Sequence, residues 1–232
     1  MRIDAKIIGI TTAKIVVAIE KIIVFFYFLY IINKQQATFR KFFTIILDFL
    51  IGFKDLSAEK RSPFYDSGIN HTQSIEYDEL AQIFSHIKLS KNDVFVDIGC
   101  GRGRVINYLL LPQFKGEIYG IEIDPEIALF TQERLKKYRA IILCGDALQR
   151  VPLNATILFL FNPFNSAELM RRFIDLIEEE YIELKLIYYY PKFLSCFTER
   201  PRWECTERRI NSHARNHYIS CAFLSYKKQW NL

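Results

Sequence analysis

The stretch Val94-Phe95-Val96-Asp97-Ile98-Gly99-Cys100-Gly101-Arg102-Gly103-Arg104 constrains the chain more than any other. Its first five residues are apolar or β-branched apart from Asp97, the pattern of a strand buried on both faces. Three alternating glycines follow, and then the helical spacing Val105, Ile106, Leu109, Leu110. Strand, tight turn and helix are therefore expected in that order. Glycines 99, 101 and 103 can adopt positive φ and leave the backbone bare, while the following helix aims its free N–H groups and positive dipole end at the same spot. A small molecule with a polar or anionic part suits such a place.

Glycine-rich strand-to-helix turns serve several ligands, and the details separate them. A dinucleotide fingerprint needs glycine at its first, third and sixth positions, here 99, 101 and 104, and position 104 is arginine. The Lys-Ser/Thr pair of a phosphate-binding loop is absent too. What stands is Asp97-x-Gly99-x-Gly101-x-Gly103, which resembles the first motif of the class I S-adenosylmethionine-dependent methyltransferases. That resemblance covers residues from about 70 to 226 and implies S-adenosyl-L-methionine as cofactor, with Asp97, Gly99, Gly101 and Gly103 in its site. Cys100 is expected beside the ligand. Arg104 stands at a helix N-terminus, where a cation is disfavoured, so it requires a carboxylate partner: the methionine end of the cofactor or a nearby acidic side chain.

Further along, residues 116–123 read as a second strand ending at Glu122, about twenty residues past the turn. At that spacing a βαβ unit returns a carboxylate to the ribose hydroxyls of an adenosine ligand. Asp124-Pro125 predicts the cap of a helix over 126–137, which leaves Glu122 for the ligand. A third strand at 140–144 leads to Gly145-Asp146, and the resemblance implies that Asp146 accepts from the adenine amino group. A fourth strand at 156–161 runs into Asn162-Pro163-Phe164-Asn165. Methyltransferases acting on amino nitrogens carry Asp/Asn-Pro-Pro-aromatic at the comparable place, and this chain has one proline where they have two. The partial match implies Asn162 as a holder of the target nitrogen and Phe164 as a wall beside it.

The rest of the pattern completes a seven-stranded mixed sheet of α/β, doubly wound, Rossmann-like type. A helix is expected over 168–180, a fifth strand over 184–190 stopped by Pro191, and a closing hairpin from runs 203–210 and 217–226 around Asn211-Ser212. Tyr188 to Pro191 is read as core and surface or as an aromatic wall. Before the glycine turn, Leu80, Ile83, Phe84 and Ile87 predict a helix over 75–87 packed on the sheet edge, capped by Thr72 or Ser74. Tyr77 on that helix is either a half-buried aromatic or an active-site residue.

Residues 1–62 differ in kind and form a hydrophobic helical segment ahead of a methyltransferase domain at 63–232. Residues 15–32 are apolar except for Glu20 and Lys21, and residues 39–53 mix basic and aromatic side chains as an interfacial helix does. Two readings stand: membrane association through residues 15–53, or a helical cap over the domain. Lys and Arg flank the run on both sides and give the positive-inside rule no vote, so the cytosolic supply of the cofactor sets the expectation of the cytoplasmic face of a membrane, with plain cytoplasmic location as the alternative. A net charge of +5 is mild and predicts no specific nucleic acid. Five cysteines without a C-x-x-C pair fit a reducing compartment, and His213 and His217 lack metal-pair spacing, so no metal is expected. The expected activity is methyl transfer to a nitrogen of a protein side chain or small molecule. The alternatives are a membrane-tethered nucleotide-binding module and an NAD-dependent oxidoreductase of Rossmann type.

Overall fold

The computed structural model describes residues 37–54, 56–57, 60–112 and 114–228. From Asp48 onward the described residues belong to one compact unit, and helix α1 (Ala37–Leu50) runs into its start. The apolar run at 15–32 lies outside the described residues, and among those described no helix is long and apolar enough to cross a membrane.

Strand β1 (Val94–Ile98) is buried at every position, as expected of a run that is apolar except for Asp97. It pairs in parallel with β2 (Glu117–Glu122) on one side and β4 (Ile157–Leu160) on the other. Outside these lie β3 (Ala140–Cys144), parallel to β2, and β5 (Glu183–Tyr189), parallel to β4. The antiparallel pair β6 (Trp203–Ser212) and β7 (His217–Lys227) completes a seven-stranded sheet of order β3-β2-β1-β4-β5-β7-β6. This is the mixed, doubly wound sheet that the alternating pattern predicts.

Helices cover both faces. Helix α2 (Tyr77–Phe84) lays Phe84 against Phe95 of β1 and Phe159 of β4, with ring centroids 5.9 and 6.3 Å apart. Four helices connect the strands: α3 (Arg104–Leu110), α4 (Pro125–Leu135), α5 (Ala147–Arg150) and α6 (Ala167–Glu180). Helix α6 buries Met170, Phe173, Ile174 and Ile177 on the sheet, a stripe of helical period. Short helix α7 (Ser195–Thr198) adds Phe197, which meets Trp203 edge-on at 4.9 Å.

Two local expectations are corrected. Helix α2 begins at Glu76, whose backbone N–H is accepted by Glu79, and Thr72 and Ser74 do not cap it; the Ser74 hydroxyl donates to the Leu56 carbonyl at 2.6 Å instead. That helix packs on the β6 edge, where Gln82 meets the Asn211 backbone, and extends further over the sheet face, where Phe84 meets Phe95 and Phe159. The β6–β7 turn falls at residues 213–216, because Asn211 and Ser212 pair with Tyr218 and His217, and Asn216 takes the left-handed conformation that closes it.

Phe197 has no exposed surface, so Phe197→Ala is expected to cost about 3–5 kcal/mol in urea denaturation. Leu129→Ala, at a side chain 60% exposed, should stay within about 0.5 kcal/mol. Equal losses would contradict this placement of the core.

Candidate active site

The glycine turn, Glu122, Asp146 and Asn162 follow the C-terminal ends of β1, β2, β3 and β4, so parallel pairing brings them to one rim. Gly99, Gly101 and Gly103 all have positive φ, at 73, 53 and 80°. A side chain at 101 would also meet the Thr72 methyl at 2.8 Å, so backbone freedom and close approach are both needed there.

A turn of this kind exposes its own peptide groups, and four neighbours take them up. Gly99 and Cys100 donate to the Ile121 carbonyl at 2.9 Å. Glu122 accepts from the Gly101 N–H at 2.9 Å through one carboxylate oxygen and from the Asp124 N–H at 2.9 Å through the other. The Thr131 hydroxyl donates to the Gly101 carbonyl, and Arg134 donates to the carbonyl of Arg102, each at 2.8 Å. Glu122 is thus a brace for the turn as well as part of the cavity wall.

Asp97 is 3% exposed, and one of its carboxylate oxygens has no hydrogen-bond partner. Burial and the neighbouring charge of Glu122 push its carboxyl up to about 8. Glu122 is raised in the same direction by burial, against the pull of its N–H donors. Cys100 is buried behind the turn with its sulfur toward Gly120, and burial raises its thiol well above the ordinary range.

A cavity opens at the rim between Gly99, Glu122, Asp146 and Phe164. Asp146 caps α5 through the Leu148 N–H at 2.9 Å and lines the cavity. The segment preceding α2 crosses the opening: Asn70 and His71 line it, and Lys60 bridges to Asp124 at 2.8 Å. Asn70 donates from its backbone to the Pro163 carbonyl at 3.0 Å and from its side chain to the Asn162 carbonyl at 3.1 Å.

Two candidate residues stand differently from expectation. The Asn162 carboxamide faces the end of β5: its oxygen accepts from the Tyr188 hydroxyl at 2.9 Å and the Lys192 N–H at 3.2 Å, and its amide donates to the Tyr190 carbonyl. The backbone at Asn162, with φ of 46°, turns Pro163 and Phe164 toward the cavity. Tyr77 lies in a buried polar cluster, its hydroxyl 2.8 Å from Asp48, and is not among the cavity-lining residues. The partner Arg104 requires is also Asp48, at 2.8 Å. Among the described residues no group of His, Cys, Asp or Glu could hold a metal ion.

Sequence reasoning passed over Thr131, Arg134, Asn70 and Asp48. For the first two a signal exists: on α4 they share the buried stripe of Ile127, Ala128 and Leu135, where an apolar residue is the norm.

Comparison with known proteins agrees with this geometry. The sequence profile described as "Histone methylation protein DOT1" matches residues 65–177. A probable cobalt-precorrin-6B C(15)-methyltransferase (decarboxylating) of Archaeoglobus fulgidus is 39% identical over 61 residues, 26% of this chain. The match spans about a third, 35%, of that relative's length. The crystal structure of an RNA methyltransferase from Salinibacter ruber in complex with S-adenosyl-L-homocysteine superposes with a TM-score of 0.50 at 15% identity, covering 65% of this chain and 92% of that one. The mitomycin 7-O-methyltransferase MmcR superposes with a TM-score of 0.51 at 16% identity, covering 65% and 53%. The chain has the class I methyltransferase fold. The Salinibacter ruber structure holds S-adenosyl-L-homocysteine, and the rim of this chain carries the acids and the bare turn described above.

The buried Asp97 gives the chain a pH signature. The fold favours the neutral carboxyl, so its contribution to stability is fully present below the ordinary value of 3.8 and is lost as pH rises through about 8. Unfolding free energy of the unliganded chain should fall across that window, and Asp97→Asn should flatten the fall in urea titrations at successive pH values. The same slope in the variant would contradict it.

Proposed function

We propose that the chain transfers a methyl group from S-adenosylmethionine to a nitrogen of a protein side chain or small molecule. The observation that carries this reading is the contact of two loops: a Cβ on Gly99 would lie 3.2 Å from Pro163 Cβ, so the Asn162-Pro163-Phe164 loop stands directly against the glycine turn. An acceptor seated on that loop adjoins the cofactor turn.

Glu122 and Asp146 would hold the adenosine part, the first through ribose hydroxyls and the second at the base. Bound there, the cofactor supplies an electrophilic methyl on a sulfonium. Methyl transfer is an in-line displacement, so the chain's contribution is orientation and the exclusion of water. Phe164, 2% exposed and packed on Phe173, gives the acceptor side a fixed wall. The Asn162 carbonyl keeps a second lone pair beyond the one that Asn70 uses, and an acceptor N–H can donate to it. A neutral amine nitrogen held so would present its lone pair to the methyl that the cofactor supplies, and its proton would leave to solvent after transfer. The oxidoreductase alternative is disfavoured by Arg104, which occupies the place of a glycine and is ion-paired within the fold.

A membrane-proximal location is part of the proposal. Phe42, Ile45 and Phe49 form one stripe of α1 and are 51, 40 and 44% exposed, beside Arg40 and Lys41. Such a stripe suits the headgroup boundary of a bilayer. The full chain should co-sediment with anionic vesicles, and Phe42→Ser with Phe49→Ser should release it; equal binding of the double variant would contradict the surface.

The activity is tested by incubating the protein with methyl-labelled cofactor and host lysate. Label that resists mild alkali is expected for N-methylation, whereas alkali-labile label would point to carboxyl methylation and overturn the nitrogen reading. Gly101→Val should lose cofactor binding by at least about tenfold in calorimetry, because it meets both Thr72 and a φ of +53°. Unchanged binding would remove the glycine turn from the site.

A further inference from the structure

Asp48 is separated by more than forty residues from β1, yet it reaches the helix that opens behind the glycine turn. Its carboxylate makes a two-pronged pair with Arg104, Nε to Oδ1 at 3.1 Å and Nη2 to Oδ2 at 2.8 Å. Both side chains are removed from water, at 2 and 0% exposure. Further donors complete the carboxylate: the Tyr77 hydroxyl at 2.8 Å and the Leu56 N–H at 3.0 Å. The remaining guanidinium N–H groups go to Ser57 and to the Ile75 carbonyl.

A second link runs in parallel. Arg134 donates to the Ile51 carbonyl and to the Asn107 side chain on one nitrogen, at 2.8 and 2.7 Å, and to the Arg102 carbonyl of the glycine turn on the other, at 2.8 Å. Asn107 in turn donates to the Tyr77 hydroxyl at 3.3 Å, which closes a ring of buried polar groups. The peptide carbonyls of the cofactor turn and the residues after Asp48 are thus fastened to the same guanidinium.

Arg104 is the first residue of α3, where its charge opposes the helix dipole. Without Asp48 the buried guanidinium would keep only the longer contact with Glu76, at 3.6 Å from Nη1, and would lose its two-pronged partner, which favours movement of the first turn of α3. Those residues follow directly on Gly103, the last glycine of the turn.

We propose that Asp48 is a positioning residue for the cofactor turn, so that docking of the segment from Asp48 to Ser57 and occupancy of the cofactor site are thermodynamically coupled. The inference rests on the reading of the glycine turn as the S-adenosylmethionine site. Coupling is reciprocal: the ligand stabilises the segment by the factor with which the segment raises the affinity of the ligand. A chain beginning at residue 63 would lack the two-pronged Asp48 partner and keep only the longer Glu76 contact.

The test uses the full chain and S-adenosylhomocysteine as probe. Hydrogen exchange with and without the probe should show added protection both in residues 99–107 and in residues 49–57. Asp48→Asn should weaken binding about tenfold in calorimetry and confine the added protection to the turn, while Asp48→Glu should recover part of the affinity. A role in stability alone would lower the midpoint of Asp48→Asn and leave the affinity of its folded fraction unchanged, which would overturn the proposal, as would wild-type protection limited to residues 99–107. If Asp48→Asn fails to fold, the wild-type exchange pattern decides the matter by itself. Failure of the wild-type chain to bind the probe would instead strike at the cofactor reading, a distinct result.

Discussion

The carboxylate of Glu122 holds the rim together. A turn with glycine at every second residue bares its peptide groups, and each one left buried without a partner costs on the order of 1–3 kcal/mol. Glu122 accepts two of these N–H groups, one from the turn and one from the start of the loop to α4. Thr131 and Arg134, from the helix that loop opens, take the carbonyls. The β1 turn and the β2 loop therefore form one hydrogen-bonded body, and the position of everything at the rim is referred to it.

The same arrangement sets the electrostatics. Burial raises both Asp97 and Glu122, the charge of Glu122 raises Asp97 further, and one oxygen of Asp97 lacks a donor. Relief comes from a proton or from a cationic ligand nearby, and a sulfonium or ammonium group is of that kind. Lys60 is spent on Asp124 and Glu126, and Arg104 on Asp48, so neither of these cations neutralises the pair.

The parallel core of the sheet was legible in the sequence because its strands carry short, largely apolar runs and three of the crossing helices have side-chain caps at Asp124, Asp146 and Ser166. The glycine turn was legible because so few backbones need three alternating glycines. The need of Arg104 for a carboxylate followed from its place at a helix start, but the identity of Asp48 did not, since a contact across 56 residues leaves no local pattern. Asn162 lines the cavity, but the direction of its side chain left no trace in the sequence. Its residue type suited a ligand, yet the left-handed backbone there turns the amide into the end of β5, where three polar groups already wait for it. The β6–β7 turn was placed too early because Asn211-Ser212 is turn-prone, although strand register and Asn216 favoured the later position.

A crystal structure of the full chain grown with S-adenosylhomocysteine tests the central claim most directly. The account predicts the adenosine at the rim of β1, β2 and β3, with ribose hydroxyls within about 3.2 Å of Glu122 while Glu122 still accepts from Gly101 and Asp124. A ligand seated elsewhere, or a Glu122 that abandons the turn to reach it, would contradict the claim that one carboxylate builds the turn and reads the cofactor.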